Sequence, residues 1–424
     1  MGQQEYMHYT PTFNTQKLKQ MLIDAWELPL DEKKNHSFLE PLDLPEGSAL
    51  AESFHHLVEH TFLHFAKGGR NDKQTEQLRH HFHIILLNLC SAMYQRNWLC
   101  IAGDSNEFTV GKGNHWLNSM ELGYRTTYSA LDFLKQQKLV EFKRGIKSKD
   151  NPMQNHFYPK PILIDMIGDY FTDLAQPIEG PYVIINDPED EWSHPQALDG
   201  RPEQAEMTEI NEFLKDHSWA CKAPAVLKYK RNPSEGGRLY TPFLNLPDKS
   251  LRIRINTLID GEPIAEVDFS ANHLRLNLAL NGGGDAGDDP YSVIGKNAGQ
   301  DREVVKIFMT VALGAASEGE AKNSCRRRHR IYSNVFEPLL DSTRRLYPKL
   351  QLFSGWAPHG QNLDGKIIKD VMLEGVREGI VALPIHDAVA VQQRHIEWAK
   401  KQMLASWGKI TGTEELARVK VDLP

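Results

Sequence analysis

Two stretches decide how this chain is read: Ile264-Ala-Glu-Val-Asp-Phe-Ser-Ala-Asn-His-Leu-Arg-Leu-Asn-Leu278 and Gly379-Ile-Val-Ala-Leu-Pro-Ile-His-Asp-Ala-Val-Ala-Val391. In the first, Ile264–Phe269 reads as a strand that ends in an acid, Asp268, and Leu274 and Leu278 predict a helix after it. The second reads as two apolar strands broken at His386-Asp387. An acid at the end of one strand and another in a tight hairpin can meet across neighbouring strands. Two carboxylates brought together in apolar surroundings repel each other and invite divalent cations. Magnesium pairs held that way align an attacking hydroxyl and a triphosphate for in-line displacement.

Between the two acids, Asp301-Arg-Glu-Val-Val-Lys-Ile-Phe-Met-Thr-Val-Ala-Leu-Gly314 reads as a helix. Arg302 and Lys306 stand at i, i+4 and so share one face, able to grip a triphosphate together. By itself such a stripe is more commonly a solvated basic face. Four further segments lie around these: Gly237-Arg-Leu239, Asp289-Pro-Tyr291, Gln361 followed by Ile367-Ile-Lys369, and a carboxyl-terminal helix from about His395 to Trp407 with a final strand in Ala417–Asp422.

Taken in order, these segments resemble the polymerase domain of family A DNA polymerases and their relatives, the single-subunit phage-type RNA polymerases. The resemblance implies that Asp268 (in Asp268-Phe-Ser-Ala-Asn-His-Leu-Arg275) and Asp387 are the metal ligands. His386 would sit beside the primer end, and Arg302 and Lys306 would bind the triphosphate. Arg238 and Gln361 would contact primer–template. The implied cofactor is a pair of Mg2+ ions, for which Mn2+ can substitute, and the implied partners are DNA, as primer–template and duplex, and nucleoside triphosphates.

Departures from the family pattern are specific. The family's motif A Glu, which screens the sugar 2′ position, is His273 here. The aromatics expected four and eight residues beyond Lys306 are Thr310 and Gly314, so stacking on the incoming base is reduced or supplied elsewhere. Ala388 replaces the Glu that usually follows the second metal ligand. The stretch from Asp268 to Asp387 is short for the family, which implies reduced fingers. Sugar choice and fidelity are the properties these departures touch, and a primase-like activity becomes an expectation.

Upstream, Tyr124, Tyr128, Leu131 and Leu134 recur at helical spacing, after a short helix expected over about 114–122. Val140-Glu-Phe142 alternates like a strand, Lys143-Arg-Gly-Ile-Lys-Ser-Lys149 is a basic hairpin, and His156–Pro159 would close it. Helix, turn, helix and basic hairpin describe a winged helix, loosely similar to those of plasmid replication initiators. Arg125 on its second helix and Lys143, Arg144, Lys147 and Lys149 in its wing are the residues expected to contact duplex phosphates. The expected fold is α+β: an arm and helical region over 1–74, a winged helix over 75–175, a linker or thumb-like bridge over 176–235, and a right-hand polymerase domain with an antiparallel palm sheet over 236–424. The first 50 residues read as an irregular arm.

Composition sets the bounds. With 40% hydrophobic and 25% charged residues in 424, global disorder is excluded. No apolar run reaches the roughly 18 residues that cross a bilayer. Cys90, Cys100, Cys221 and Cys325 form no C-x-x-C pair and Met1–Tyr6 is no leader, so the reading is a reduced, cytoplasmic protein. Net charge is −7, yet the cations cluster in 135–149, at Lys228, Lys230 and Arg231, and in Arg326-Arg-Arg-His-Arg330, so local fields can still attract nucleic acid. Other readings are a non-catalytic replication initiator and a zinc peptidase built on His56-Leu-Val-Glu-His60 with His64. His80-His-Phe-His83 has the same ambiguity. The acid pair with its basic helix favours a nucleotidyltransferase, and the resemblance implies a role in DNA replication, of a mobile element or phage.

Overall fold

The computed structural model describes residues 15–31, 35–44, 47–65, 72–109, 117, 119–145, 154–171, 174, 180–186, 196–198, 200–247 and 251–424. The chain mixes helices with largely antiparallel sheets and divides into two compact units. One comprises Met1–Glu179, Ser218–Ala223 and Thr241–Pro263; the other comprises Gly180–His217, Pro224–Tyr240 and Ile264–Pro424.

The first unit is organised by the helix Asp72–Tyr94, which buries nearly every residue from His81 onward. Helical spacing predicts this element as far as residue 98, but it ends at Tyr94. Trp98–Ile101, a run buried at all four positions, is instead drawn into a sheet. That sheet has the order His36–Phe38, Trp98–Ile101, Asn155–Pro159, Val140–Lys143. The two strands expected around the basic hairpin are therefore present and antiparallel, with Val140 opposite Pro159 and Lys143 opposite His156. Tyr124–Gln136 is the helix before them, but its buried face is Thr127, Ala130, Leu131 and Leu134. The two tyrosines sit at its rim, where the Tyr128 hydroxyl donates to the Ala102 carbonyl at 2.9 Å. Residues 114–116 and 118 of the short helix expected over 114–122, with Lys147 and Lys149, fall outside the described residues. The stretch read as an irregular arm holds the helix Thr15–Asp24, anchored by buried Leu18 and Leu22.

The His80–His83 stripe has structural uses. The His81 ring meets the Gln77 carbonyl through Nδ1 at 2.6 Å and accepts from the Gly123 amide through Nε2 at 2.9 Å. Burial lowers its proton affinity, in keeping with a neutral ring. His80 Nε2 meets the Met120 carbonyl at 2.8 Å. His56 and His60 are exposed on the helix Ala49–Phe65. The His64 side chain lies outside the described residues.

In the second unit, the segment read as a linker is folded. Val183–Asn186, Gln196–Ala197, Val226–Lys230 and Asn232–Tyr240 form a four-stranded sheet beside the helix Pro202–Lys215. Its polar composition conceals a helical stripe, Met207, Ile210 and Leu214, which is buried. The expected antiparallel sheet is also present, in the order Leu383–Ile385, Ala388–Gln392, Glu262–Phe269, Val419–Asp422. Four helices, Pro290–Ala298, Arg302–Gly314, Glu318–His329 and Ser333–Leu346, share one apolar cluster built on Ile294, Phe308, Cys325, Phe336 and Leu340.

The long helix Ala357–Glu378 packs against the strand Asn232–Tyr240 closely enough that a Cβ at Gly365 would strike the Gly237 carbonyl oxygen. Both partners at that approach are backbone or glycine, so there is no flexible side chain to give way. Gly365→Ala is expected to destabilise this unit by about 1–3 kcal/mol, the range for overpacking, read as a lower midpoint in thermal or urea unfolding with no new stable form.

Candidate active site

Strand register brings the two predicted acids together. Asp268 on Glu262–Phe269 is the cross-strand partner of Ala388, the residue after Asp387. His386 and Asp387 form the two-residue turn between Leu383–Ile385 and Ala388–Gln392, closed by the pairing of Ile385 with Ala388. His386 takes the left-handed conformation, φ 57°, that tight two-residue hairpins demand. Its ring lies edge-on to Tyr240, with centroids 6.2 Å apart, and Lys228 Nζ lies 5.0 Å from the Tyr240 ring centre.

The electrostatics of the pair are strained in a direction that favours a cation. Burial, the nearby Asp364 carboxylate and Asp268 together push the Asp387 carboxyl up to about 7, against the pull of Arg238 and His273. On its other edge Asp268 pairs in register with Lys420, and Lys420 Nζ sits 3.0 Å from Asp268 Oδ2. An ammonium thus occupies one side of the acid pair.

Asp364 is the residue that sequence reasoning missed. It stands on Ala357–Glu378 with no solvent exposure and receives the Arg238 guanidinium, the Nε at 3.1 Å and an Nη closer still. His273 Nε2 approaches the same oxygen at 2.8 Å, and Asn272 Nδ2 donates to the other at 2.8 Å. Burial would raise its pKa, but His273 and Arg238 more than reverse that and hold it below the usual carboxylate range. Asn272 in turn accepts from the Trp407 indole at 3.1 Å, and the His273 ring meets Trp356 edge-on at 5.3 Å. Arg238 and His273, predicted separately, are therefore parts of one buried assembly. An isolated Asp between Leu363 and Gly365 carries no sequence signal; only its place one helical turn from Gln361 hints at the same face.

The basic helix begins where expected. Arg302 opens Arg302–Gly314, and its Nε lies 2.8 Å from Asp289 Oδ2. Asp289 also caps Pro290–Ala298 by accepting from the Ser292 amide. The Arg302 guanidinium lies 5.6 Å from the Tyr291 ring centre. The Tyr291 hydroxyl is pushed up to about 12 by burial and by Asp387, while Arg302 pulls it down; Tyr291 thus senses both the acid turn and the start of the basic helix. Lys306 and Thr310 are exposed, with the Thr310 hydroxyl donating to the Lys306 carbonyl at 2.9 Å, and Gly314 ends the helix. Gln361 accepts from Lys230 Nζ at 2.9 Å. Arg125, Lys143 and Arg144 belong to the first unit; Arg125 and Arg144 are exposed, and Lys143 Nζ stacks 4.6 Å from the Trp98 ring centre.

Among the described residues no group of three or more His, Cys, Asp or Glu side chains could hold a metal. The two-aspartate arrangement nevertheless suits magnesium, which keeps its waters and uses one or two carboxylates plus substrate phosphates. Lys420 shows that a positive charge is accommodated beside Asp268.

No family model matches the chain, and no curated protein does. Among solved structures, the POL domain of Pol1 from M. smegmatis, in complex with DNA primer-template and dNTP, is similar at a TM-score of 0.32 and 13% identity, over 88% of this chain and 67% of that one.

The raised Asp387 carboxyl has a definite pH consequence. Between about pH 4 and 7 the unfolded chain releases this proton and the folded chain keeps it, so stability falls as pH rises through that window. Asp387→Asn removes the penalty. In EDTA its thermal midpoint is expected to gain on the wild type steadily from pH 4 to 7 and to stay several degrees higher at pH 8. Millimolar Mg2+ should raise the wild-type midpoint and leave that of Asp387→Asn unmoved. A constant difference across the pH range would contradict the assignment.

Proposed function

We propose that the chain is a template-directed nucleotidyltransferase, a DNA polymerase of family A type with a primase-like breadth of sugar choice, acting in replication. The observation that carries the reading is the cross-strand register that seats Asp268 beside the His386-Asp387 turn. Divalent cations, when bound, would neutralise triphosphate charge and lower the proton affinity of the attacking hydroxyl.

The chain's own residues divide the remaining work. Asp268 and Asp387 supply the fixed negative charge that would hold those cations. Arg302 and Lys306 would take phosphate oxygens, with Arg302 exchanging Asp289 for the more highly charged triphosphate. His386, braced by Tyr240, lies at the edge of the acid pair where the end of a growing strand would reach. Arg238, paired with Asp364, places its positive charge near the acid turn. His273 stands where the family has Glu, and its imidazole, fixed between Asp364 and Trp356, leaves a different wall for the sugar. The first unit, by its Tyr124–Gln136 helix and the Val140–Lys143 and Asn155–Pro159 hairpin, would hold duplex DNA through Arg125, Lys143, Arg144, Lys147 and Lys149.

Primer extension with labelled nucleotides and Mg2+ tests the reading. The wild type should incorporate both dNTPs and NTPs, and Asp268→Ala and Asp387→Ala should each abolish incorporation while binding duplex almost normally. A wild type that incorporates nothing, or an active Asp387→Ala, would overturn it. Replacing Arg144 and Lys143 by Gln is expected to weaken duplex binding and to lower the slope of log affinity against log salt by about 0.9 for each phosphate left unneutralised, measured by fluorescence anisotropy.

A further inference from the structure

The run Arg326-Arg-Arg-His-Arg330 places five basic residues in succession. Every one of its five side chains is exposed, at the end of the helix Glu318–His329. Lys322 on the same helix is paired with Glu318 and Glu337, and on neighbouring helices Arg344 is paired with Glu318 and Arg302 with Asp289. Among the described residues none of the five forms a side-chain ion pair or hydrogen bond. Cations in a last turn complement the helix dipole, and one or two would suffice for that. The run goes further. Arg330 occupies the left-handed position that ends the helix, φ 57°, where glycine is the usual choice, so a charged side chain is kept there at a conformational cost.

Two residues on, Tyr332 is 55% exposed. Among the described residues of this unit, no other Phe, Tyr or Trp ring is as open to water. Between them Ile331 is buried, and its amide donates to the Cys325 carbonyl at 3.1 Å. That hydrogen bond closes the turn between the arginine run and Tyr332.

We propose that this corner, Arg326–Arg330 with Tyr332, is a docking surface for single-stranded nucleic acid, with the arginines tracking phosphates and the Tyr332 ring stacking on an unpaired base. Adjacent cations and an exposed ring are the combination that binds unpaired strands without sequence preference. A duplex offers phosphates but no free base face for the ring. A lipid surface would require apolar side chains to insert, and the exposed residues after Tyr332 are Ser333 and Asn334.

The test uses the full chain, a labelled twenty-nucleotide oligo-dT and a blunt hairpin duplex, followed by anisotropy in EDTA without nucleotides. The thermal midpoint is checked first: glutamates in the last turn oppose the helix dipole, so a fall of a few degrees is expected and the assay is run well below it. The triple variant Arg326→Glu, Arg327→Glu, Arg328→Glu is expected to lose more than about tenfold in oligo-dT affinity and to lower the salt slope by about 2, at roughly 0.7 per phosphate neutralised on a single strand. Its duplex affinity should change less than about twofold. Tyr332→Ala should lose about 5- to 150-fold on oligo-dT, the range for one stacked base, and Tyr332→Phe should recover most of it. Unchanged oligo-dT binding or an equal loss on duplex would each overturn the proposal. Because the assay contains neither metal nor nucleotide, the result is independent of synthesis: a chain inert in primer extension could still bind here, and an active one could fail to.

Discussion

A carboxylate with no exposure to water holds this molecule's candidate site in shape. Asp364 carries a full charge into the interior, which costs several kcal/mol unless every lone pair is met. Arg238, His273 and Asn272 meet them, and they arrive from two elements other than its own: the strand Asn232–Tyr240 and the helix Asn272–Leu280. None of the partners can leave without stranding the charge. The two elements are thereby locked to the helix Ala357–Glu378 at the point where Gly365 lets it approach the Gly237 carbonyl.

The same charge acts on the acid turn. Asp364 is satisfied and stays ionised, so its field falls on Asp387, which is less well partnered, and with burial and Asp268 keeps that group protonated to about pH 7. Two acids of opposite tendency stand close together: one anionic because cations surround it, the other reluctant to ionise until a cation arrives. Lys420 beside Asp268 answers part of that demand. That balance would favour a bound cation, although among the described residues no group of three or more ligating side chains surrounds it.

Much of this was legible in the chain. The acid strand, the broken apolar hairpin at His386-Asp387, the basic helix opened by Arg302 and the final helix and strand all follow from local periodicity, and their boundaries moved by only a few residues. The errors have a common source. The segment 176–235 looked like a linker because its polar residues mask the buried stripe Met207, Ile210 and Leu214. The helix expected over about 75–98 ends at Tyr94 instead, because Trp98–Ile101 is apolar enough for either element and the sheet claimed it. The helix at Tyr124 was rotated, since Thr127 and Ala130 rather than the tyrosines face inward.

By itself, the sequence determined which residues carry charge and which local elements present them: Asp268 at a strand end, Asp387 in a turn, Arg302 and Lys306 on one helical face. Such features depend on neighbours a few positions apart, and the pattern of apolar residues records them. Only the tertiary structure decided that Asp364 binds Arg238 and His273, that Lys420 faces Asp268, and that Arg302 rests on Asp289. Those pairings join residues far apart in the chain, and they depend on strand register and on one close glycine approach, neither of which leaves a periodic trace.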